Sequence, residues 1–298
     1  MKLRVGPSPI LEARRHRAGS ILWAMSVAGG LCITASSAGH PATTGASATP
    51  TPQAEPCITP PPPGANSLTA GELAEGWTLL WDGRTSDGWR SAGSDTFPSA
   101  GWTMCNGVLT IDGRGGGESR GPGDIITRRR FANFDLRFDF QITPGANSGV
   151  KTFVQTDISP IDRVTGEPTP IGSGIGIEFQ ILDDLRHPDA NAGQDGNRTV
   201  GSFYDVIPAP EDKEVQPPGE WNHGRILSQG TRVTFYLNGV KTVEFDRGSP
   251  AFNSQVSQSK FRNITGFGEW PDGHILLQDH GDRVSFTNLK IRELPARQ

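Results

Sequence analysis

The amino-acid sequence predicts an all-β fold, a jelly-roll sandwich of two antiparallel sheets. Short segments with alternating apolar and polar residues recur from about residue 76 to residue 293, separated by clusters of Gly, Pro, Asn and Asp. Hardly any stretch shows the 3.6-residue periodicity of an amphipathic helix. Asn-Gly pairs at 106–107 and 238–239 each lie between two such segments, which is a strong signal for a β-hairpin. Many short strands with turn residues between them are typical of antiparallel sandwiches.

The first 38 residues have the order of a secretory signal. Residues 1–17 carry five basic groups and one acidic group, an apolar stretch follows from Ile21 to Ile33, and small residues come next. This order predicts a signal peptide over residues 1–38. The apolar stretch is too short and too rich in glycine for a stable membrane span. We therefore expect an exported protein, periplasmic or extracellular.

Residues 39–70 are rich in Pro, Thr, Ala and Ser and contain four consecutive prolines at 60–63. Such a composition cannot bury a core, so a disordered linker, partly in the polyproline II conformation, is predicted here. Residues 71–298 are long enough for one large domain. The prediction is therefore a signal, a linker and a single sandwich domain.

Charge and cysteine content narrow the classes of partner. The formal net charge is −4, and removing the predicted signal, with its net charge of +4, leaves about −8. An acidic chain without a basic run is a poor nucleic-acid binder. Cys57 and Cys105 remain after the signal, and an oxidising compartment would allow a disulfide between linker and domain. Two free thiols are the alternative, since sequence does not show their geometry.

The strands are predicted in chain order, and the longest alternation runs over ten residues near 134–142. The predicted segments are 76–81, 102–105, 108–111, 134–142, 148–155, 172–184, 221–227, 232–237, 241–245, 274–279 and 284–293. The loops 156–172, 185–198 and 205–219 are long and rich in Pro, Gly and Asp. Loops of that length in a compact domain are usually functional or mobile.

The segment 172–184 is the most informative strand. Its alternation directs one set of side chains to the core: Ile175, Ile177, Phe179 and Ile181. The opposite face carries Glu178 and Gln180 beside Gly174 and Gly176. A strand with glycines next to polar groups indicates a surface that another group approaches closely.

Alternation also places polar residues of other strands. In 148–155 it directs Val150 and Val154 to the core, and Lys151 and Phe153 outward. In 221–227 and 274–280 the outward side chains include Trp221, His223, Arg225, Gln278 and His280. If these strands are neighbours, one face combines hydrogen-bonding groups with aromatic surface, which suits a carbohydrate. The alternative is an ordinary solvated face, because antiparallel strands carry polar residues there without any ligand.

Other kinds of site are less well supported. Asp183, Asp184 and Asp189 could hold a divalent cation such as Ca²⁺, although solvated acidic loops are more common. Neither a His-x-x-x-His nor a Cys-x-x-Cys pair is present, so zinc is weakly indicated. The sequence has no Glu-x-Asp-x-Glu strand for a two-carboxylate glycosidase. The glycines of 113–117 lack the Lys-Ser/Thr of a phosphate loop.

From about residue 76 to residue 294 the chain resembles the 3-keto-disaccharide hydrolase domain family. Seven motifs occur in the family's order: 77–83 with Gly88-Trp89, 147–151, 178–183, 201–205, 219–223, 237–239 and 273–281. The resemblance implies a concanavalin- or laminin-G-like jelly roll, export, and action on glycosides already oxidised at the sugar C3. A separate sugar 3-dehydrogenase would supply such a substrate.

A ketone at C3 makes the C2 proton acidic, so a base can remove it, the enolate can expel the C1 substituent, and water can add back. Glu178 matches the family's acidic strand position and is the expected acid/base. Lys151 is expected to stabilise the enolate, with His223 as a third catalytic residue. The expected substrate-binding residues are Gln180, Trp221, Arg225, Tyr204, Gln278 and His280. Asp183 also matches a motif, but alternation leaves it as a loop brace or cation ligand.

Two classes of function stay open on the sequence. The first is an exported enzyme that cleaves 3-keto-glycosides by C2 deprotonation, elimination and hydration, and the resemblance favours it. The second is a non-catalytic sugar-binding module on the same sandwich, because a fold does not fix a function. An ordinary glycosidase is a weaker third possibility.

Overall fold

A computed structural model describes residues 60–113, 123–156, 165–167 and 174–296, which belong to one compact unit. The predicted signal over residues 1–38 lies outside these residues. Among the helices of the described ranges, none has the length and apolar character needed to cross a membrane.

The described residues form a sandwich of strands with two short α-helices. In chain order the strands are β1 (Trp77–Leu79), β2 (Trp89–Ser91), β3 (Trp102–Cys105), β4 (Val108–Ile111), β5 (Ile125–Thr127), β6 (Phe134–Ile142), β7 (Asn147–Gln155), β8 (Ile175–Leu182), β9 (Asn222–Gln229), β10 (Arg232–Leu237), β11 (Val240–Asp246), β12 (His274–Leu277) and β13 (Val284–Glu293). The helices are α1 (Ala70–Ala74) and α2 (Pro250–Gln258), and 3₁₀ turns cover Pro188–Asn191 and Lys260–Asn263.

Two antiparallel sheets divide these strands. The back sheet has eight strands in the order β11-β10-β9-β6-β13-β4-β3, with β1 also paired to β13. The front sheet has five strands in the order β2-β5-β12-β7-β8. Every strand pairing within the described residues is antiparallel, which confirms the predicted fold class.

Aromatic side chains from both sheets fill the space between them. Phe179 of the front sheet contacts two rings of the back sheet. It meets Phe138 edge-to-face at 5.4 Å and Phe235 at a tilted angle at 5.3 Å between ring centroids. All three rings are fully buried. Such contacts stabilise beyond the buried area alone, so this apolar layer holds the front sheet on the back sheet.

The two predicted hairpins are confirmed. The pair Asn106-Gly107 joins β3 to β4, and Asn238-Gly239 joins β10 to β11. All four turn residues have positive φ, between 50° and 86°. Asn and Gly tolerate this region, and two-residue hairpin turns of this type require it.

Two strands, the two α-helices and the two 3₁₀ turns of the described residues were not predicted. Strands β2 and β5 have three residues each, too few for an alternation to show. Helix α1 starts with a capping box between Thr69 and Glu72, and α2 starts with Ser249 as its N-cap and Pro250 in the first turn. Both are recognised helix-start signals, and they could have been found in the sequence.

A β-bulge in β7 reverses part of the predicted alternation. Phe153 has φ +58°. Between Thr152 and Gln155 of β7, the register of the pairing with β8 shifts. As a result, Phe153 enters the main core, whereas Val154 joins a small cluster with Leu276 on the other face. The prediction that Val154 points to the core and Phe153 outward is therefore wrong, because a bulge inserts one unpaired residue into the strand.

Residues 60–76 are attached to the back sheet. Asn66 donates to the Gly107 carbonyl at 2.8 Å and accepts from the Asn288 backbone N–H at 2.9 Å. The Lys290 ammonium contacts a carboxylate oxygen of Glu72 at 2.9 Å. Within residues 60–70, which the composition assigns to the linker, Asn66 is thus hydrogen-bonded to backbone groups of the domain.

Candidate active site

Lys151 and Glu178 lie directly opposite each other on the paired strands β7 and β8. Their side chains are on the outer face of the front sheet, and the Lys151 Nζ to Glu178 Oε2 distance is 3.7 Å. Both residues are buried, with exposed fractions of 6% and 5%. A buried carboxylate beside a buried ammonium is a polar arrangement that packing alone does not require.

Gly149 allows the carboxylate to take this position. Gly149 pairs with Gln180 across the two strands, and a Cβ added to it would lie 2.6 Å from Glu178 Oε1. Any side chain larger than hydrogen would therefore displace the carboxylate. This explains why the sequence has glycine at a position whose backbone conformation does not demand it.

The two strands form the floor of a small polar pocket with a volume of about 120 Å³. The pocket is completed by Tyr204 from a loop, by two residues of the 3₁₀ turn at 260–263, and by residues that follow β12. The lining residues are Asn147, Lys151, Gly174, Ile175, Gly176, Glu178, Gln180, Tyr204, Lys260, Phe261, Gln278 and His280. Six of the nine predicted catalytic and substrate-binding residues thus lie around one pocket.

Gln180 carries an unsatisfied donor at this pocket. The side chain is fully buried, and its Nε2 has no hydrogen-bond partner among the described residues. Its Oε1 accepts a 3.2 Å hydrogen bond from the Ile181 backbone. A buried N–H group without an acceptor is costly, so the amide is suited to an oxygen atom supplied by a ligand.

A hydrogen-bonded network fixes Tyr204 at one side of the pocket. The Tyr204 hydroxyl donates to Asp189 at 2.8 Å, and Asp189 also accepts from Arg198 at 2.6 Å. Burial and the bond to Asp189 raise the pKa of Tyr204, so the phenol keeps its proton at neutral pH. Lys260 lies over the Tyr204 ring, with Nζ 4.2 Å from the centroid.

His280 and Gln278 come from the segment after β12. The Gln278 backbone N–H donates to the Gly149 carbonyl at 3.0 Å, which extends the sheet and places the side chain beside Lys151 and Glu178. His280 is half-buried and lies edge-to-face with His187 at 6.3 Å between ring centroids. Both residues line the pocket as their predicted roles require.

Three predicted site residues belong to the other sheet: His223 and Arg225 lie on β9, and Trp221 directly precedes it. Strand β9 pairs with β6 and β10 of the back sheet and does not neighbour β7 or β8. His223 therefore contacts Asp139 at 2.6 Å, Arg225 forms two hydrogen bonds to Asp135, and Trp221 donates to the Pro60 carbonyl. Alternation gave their outward direction correctly, but the assumption that β9 adjoins the front-sheet strands is wrong.

Asp183 and Asp184 are engaged with protein donors. Asp183 accepts hydrogen bonds from the Gly145 backbone at 2.7 Å and from Arg186 at 3.0 Å. Burial alone would raise the pKa of Asp183, but these bonds outweigh it and hold the pKa below its ordinary value. Asp184 accepts from the Val200 backbone at 2.8 Å, and its burial raises its pKa. Both carboxylates brace loops.

The geometry offers little for a metal ion. The described part of the chain contains no group of three or more His, Cys, Asp or Glu side chains that could hold one. Asp189, the third acidic candidate, is bound to Arg198 and Tyr204. The pocket does bring together a carboxylate, a cation and an amide donor without a partner, which are groups able to move a proton and to stabilise an anion.

Four lining residues were missed by sequence reasoning. Ile175 was assigned to the core, yet it is only partly buried and also lines the pocket. Asn147 lies two residues before Gly149 and four before Lys151 on β7, so alternation places it on the same face, and it could have been predicted. Lys260 and Phe261 lie about 80 residues after β8 in a short 3₁₀ turn, where no periodicity or motif links them to the site. Only the tertiary structure brings them to the pocket.

Residues 76–292 match the family model described as the 3-keto-alpha-glucoside-1,2-lyase-like domain. A protein named 3-keto-disaccharide hydrolase from Bacteroides thetaiotaomicron is 34% identical over 254 residues, which cover 77% of this chain and 85% of that protein. A crystal structure of a candidate glycosyl hydrolase from Parabacteroides distasonis is 31% identical, with a TM-score of 0.64, and covers 78% of this chain and 100% of its own. A second one from that organism has 29% identity and a TM-score of 0.51, and covers 73% and 99%.

Proposed function

The chain belongs to the family of 3-keto-alpha-glucoside-1,2-lyase-like domains, and from this we propose that it is an enzyme that cleaves glycosides bearing a ketone at the sugar C3. The observation that carries the proposal is the buried Glu178–Lys151 pair in register beside the unsatisfied amide of Gln180. A base, a cation and a free donor around one small pocket are what enolate chemistry needs. The relative's name, 3-keto-disaccharide hydrolase, supports the same substrate class.

In the first step the Glu178 carboxylate takes the C2 proton, and the electrons of the C–H bond form an enolate whose oxygen is at C3. The Lys151 ammonium and the Gln180 Nε2 group stabilise that oxygen. Both groups are held by strands before substrate arrives, so they reorganise little during the reaction. Their contribution is therefore greater than it would be in water.

In the second step the enolate collapses to a ketone, a C1=C2 double bond forms, and the C1–O bond breaks with its electron pair going to the leaving oxygen. That oxygen takes a proton, for which His280 in the pocket lining is the proposed relay. Water then adds its hydroxyl to C1 and a proton returns to C2. Elimination followed by hydration gives net hydrolysis.

The proposal includes a place outside the cytoplasm. The basic, apolar and small-residue order of the first 38 residues supports export, and Cys105 is disulfide-bonded, as cysteines in oxidising compartments often are. Because sugars do not carry a C3 ketone unless oxidised, a separate sugar 3-dehydrogenase would have to act first.

The decisive experiment compares a 3-keto-disaccharide with its unoxidised parent. We expect cleavage of the first only, and in D₂O the released 3-keto-sugar should carry deuterium at C2, which reports the deprotonation. Glu178→Gln should lower kcat by about 100-fold or more, since general acid–base groups contribute on that scale. Glu220→Gln removes an exposed carboxylate that is not part of the pocket lining and should leave kcat unchanged.

Each other outcome would point elsewhere. Cleavage of the unoxidised parent would indicate an ordinary glycosidase. Binding of both sugars without turnover would indicate a sugar-binding module. Full activity of the Glu178→Gln variant would contradict the assignment of the base.

A further inference from the structure

The outer face of the back sheet contains a second groove, with a volume of about 310 Å³. It lies between the central strands and is lined by Arg137, His223, Arg225, Tyr236 and Lys290 among others. Small-molecule sites occupy roughly 300–1,000 Å³, so the groove is large enough for a ligand. None of these residues lines the pocket of the front sheet.

Three positive charges meet across neighbouring strands in this groove. Arg137 of β6 lies directly opposite Arg225 of β9 on one side and Lys290 of β13 on the other. Like charges that face each other on adjacent strands destabilise a sheet. Such a row is therefore unfavourable for folding unless anions balance it.

The protein balances only the two outer cations. Arg225 makes hydrogen bonds of 2.7 and 2.8 Å to the buried Asp135, and Lys290 contacts Glu72 at 2.9 Å. His223 at the groove edge is paired with Asp139, and that bond raises the pKa of His223. The cations on both sides of Arg137 thus have their own carboxylates.

Arg137 in the centre has no such partner. Its guanidinium makes no hydrogen bond or ion pair with another side chain of the described residues. Its Cζ atom lies over the Trp77 ring, 4.2 Å from the ring centroid. The residue is only partly buried, so its donors are open to the groove. A guanidinium held by an aromatic ring presents its planar fork to carboxylate or phosphate.

We propose that this groove is a second binding site, which takes an acidic saccharide with its carboxylate on Arg137. Beside the cation, Tyr236 offers an aromatic ring, and Asn288 has an Oδ1 atom without a hydrogen-bond partner among the described residues. A sugar presents hydroxyl donors and C–H faces that suit these groups, whereas inorganic phosphate presents neither. Binding here would neutralise the central charge of the row.

The test measures binding to the full chain by titration calorimetry. A trimer of galacturonic acid is the probe, with maltotriose as the neutral control and inorganic phosphate as the simple anion. We expect the acidic trimer to bind, and maltotriose and phosphate not to bind. Arg137→Gln should weaken binding of the trimer by about tenfold or more, since hydrogen bonds to charged groups contribute on that scale. Arg232→Gln, on exposed β10 surface outside the groove, should bind the trimer as the wild type does.

Two further variants keep the result separate from catalysis and from folding. Glu178→Gln should retain full binding of the trimer, and Arg137→Gln should retain full cleavage of a 3-keto-disaccharide. If Arg137→Gln does not fold, Arg137→Lys keeps the charge but loses the planar fork, and its binding should also fall. Equal binding of maltotriose or phosphate, or trimer binding that neither Arg137 variant weakens, would overturn the proposal.

Discussion

At the scale of single residues, the Glu178–Lys151 pair is costly to keep. Taking two charges out of water has a large desolvation cost, and a buried ion pair is often no more stabilising than well-packed apolar residues. The 3.7 Å separation is also longer than that of a strong hydrogen-bonded pair. A function is therefore a better reason for these two residues than stability.

Gln180 shows the same conflict between stability and function. Its Nε2 is buried and has no hydrogen-bond partner among the described residues. Gln155 on the neighbouring strand, in contrast, has hydrogen-bond partners for both its amide oxygen and its amide nitrogen. Gln155 donates to the Asp272 carbonyl at 2.6 Å and accepts from Arg130 at 2.8 Å. The two glutamines form a natural pair for comparison.

We predict that Gln180→Met lowers turnover of a 3-keto-disaccharide by about 100-fold, as loss of one oxyanion donor does, without lowering the free energy of unfolding. Gln155→Met should instead lower the free energy of unfolding by about 1–3 kcal/mol, because it leaves its partners unsatisfied. Steady-state kinetics and urea unfolding measure both quantities. Equal destabilisation by the two substitutions would refute a ligand-binding role for Gln180.

At the scale of elements, the bulge in β7 shapes the floor of the pocket. It moves Phe153 into the core and Val154 to the outer face, where β8 must make room for it. A Cβ at Gly176 would lie 2.6 Å from the Thr152 carbonyl oxygen and 2.8 Å from a Val154 methyl group. The glycines of β8 thus accommodate the bulged neighbour as well as the pocket.

Gly176→Ala is therefore expected to lower the free energy of unfolding by about 1–3 kcal/mol, since an overpacked backbone contact cannot relax easily. Cleavage should fall as well, because the same strand carries Glu178. Gly93→Ala is the matched control, since the nearest atom to its Cβ would be 4.0 Å away. Thermal unfolding of both variants checks this, and a Gly176→Ala protein as stable as the Gly93→Ala protein would contradict it.

At the scale of the whole molecule, the sandwich separates two sites. The candidate active site is on the outer face of the front sheet, and the basic groove is on the outer face of the back sheet. Residues 60–76 are fastened to the back sheet through Asn66 and Glu72, and the nearby Cys105 is disulfide-bonded. Its predicted partner, Cys57, lies outside the described residues, so the pairing stays a prediction.

If Cys57 pairs with Cys105, the bond joins the N-terminal segment to the hairpin of β3 and β4. Peptide mapping without reductant should then find the two cysteines in one linked peptide. The double variant Cys57→Ser/Cys105→Ser should lose about 2–4 kcal/mol of unfolding free energy, because the unfolded chain is no longer constrained. Unlinked peptides, or a double variant as stable as the wild type, would exclude this pairing.

The sequence by itself determined eleven of the thirteen strands in the described residues, the two hairpins and the outward direction of most polar side chains. These depend on the alternation of neighbouring residues and on turn residues that tolerate positive φ, which are local properties. It also indicated Glu178, Lys151 and Gln180 as candidate site residues on strands that follow each other along the chain, and the structure places all three around one pocket. The two short helices also begin with recognisable capping residues, so the sequence could have predicted where they start.

Only the tertiary structure decided which strands are neighbours. Strand β9 carries His223 and Arg225 outward as predicted, yet it pairs with β6 in the back sheet. Lys260 and Phe261 reach the pocket from a distant turn, and the bulge at Phe153 exchanges two side chains between faces. Pairing between distant strands depends on how the whole core packs, and alternation within one strand carries no information about its partner.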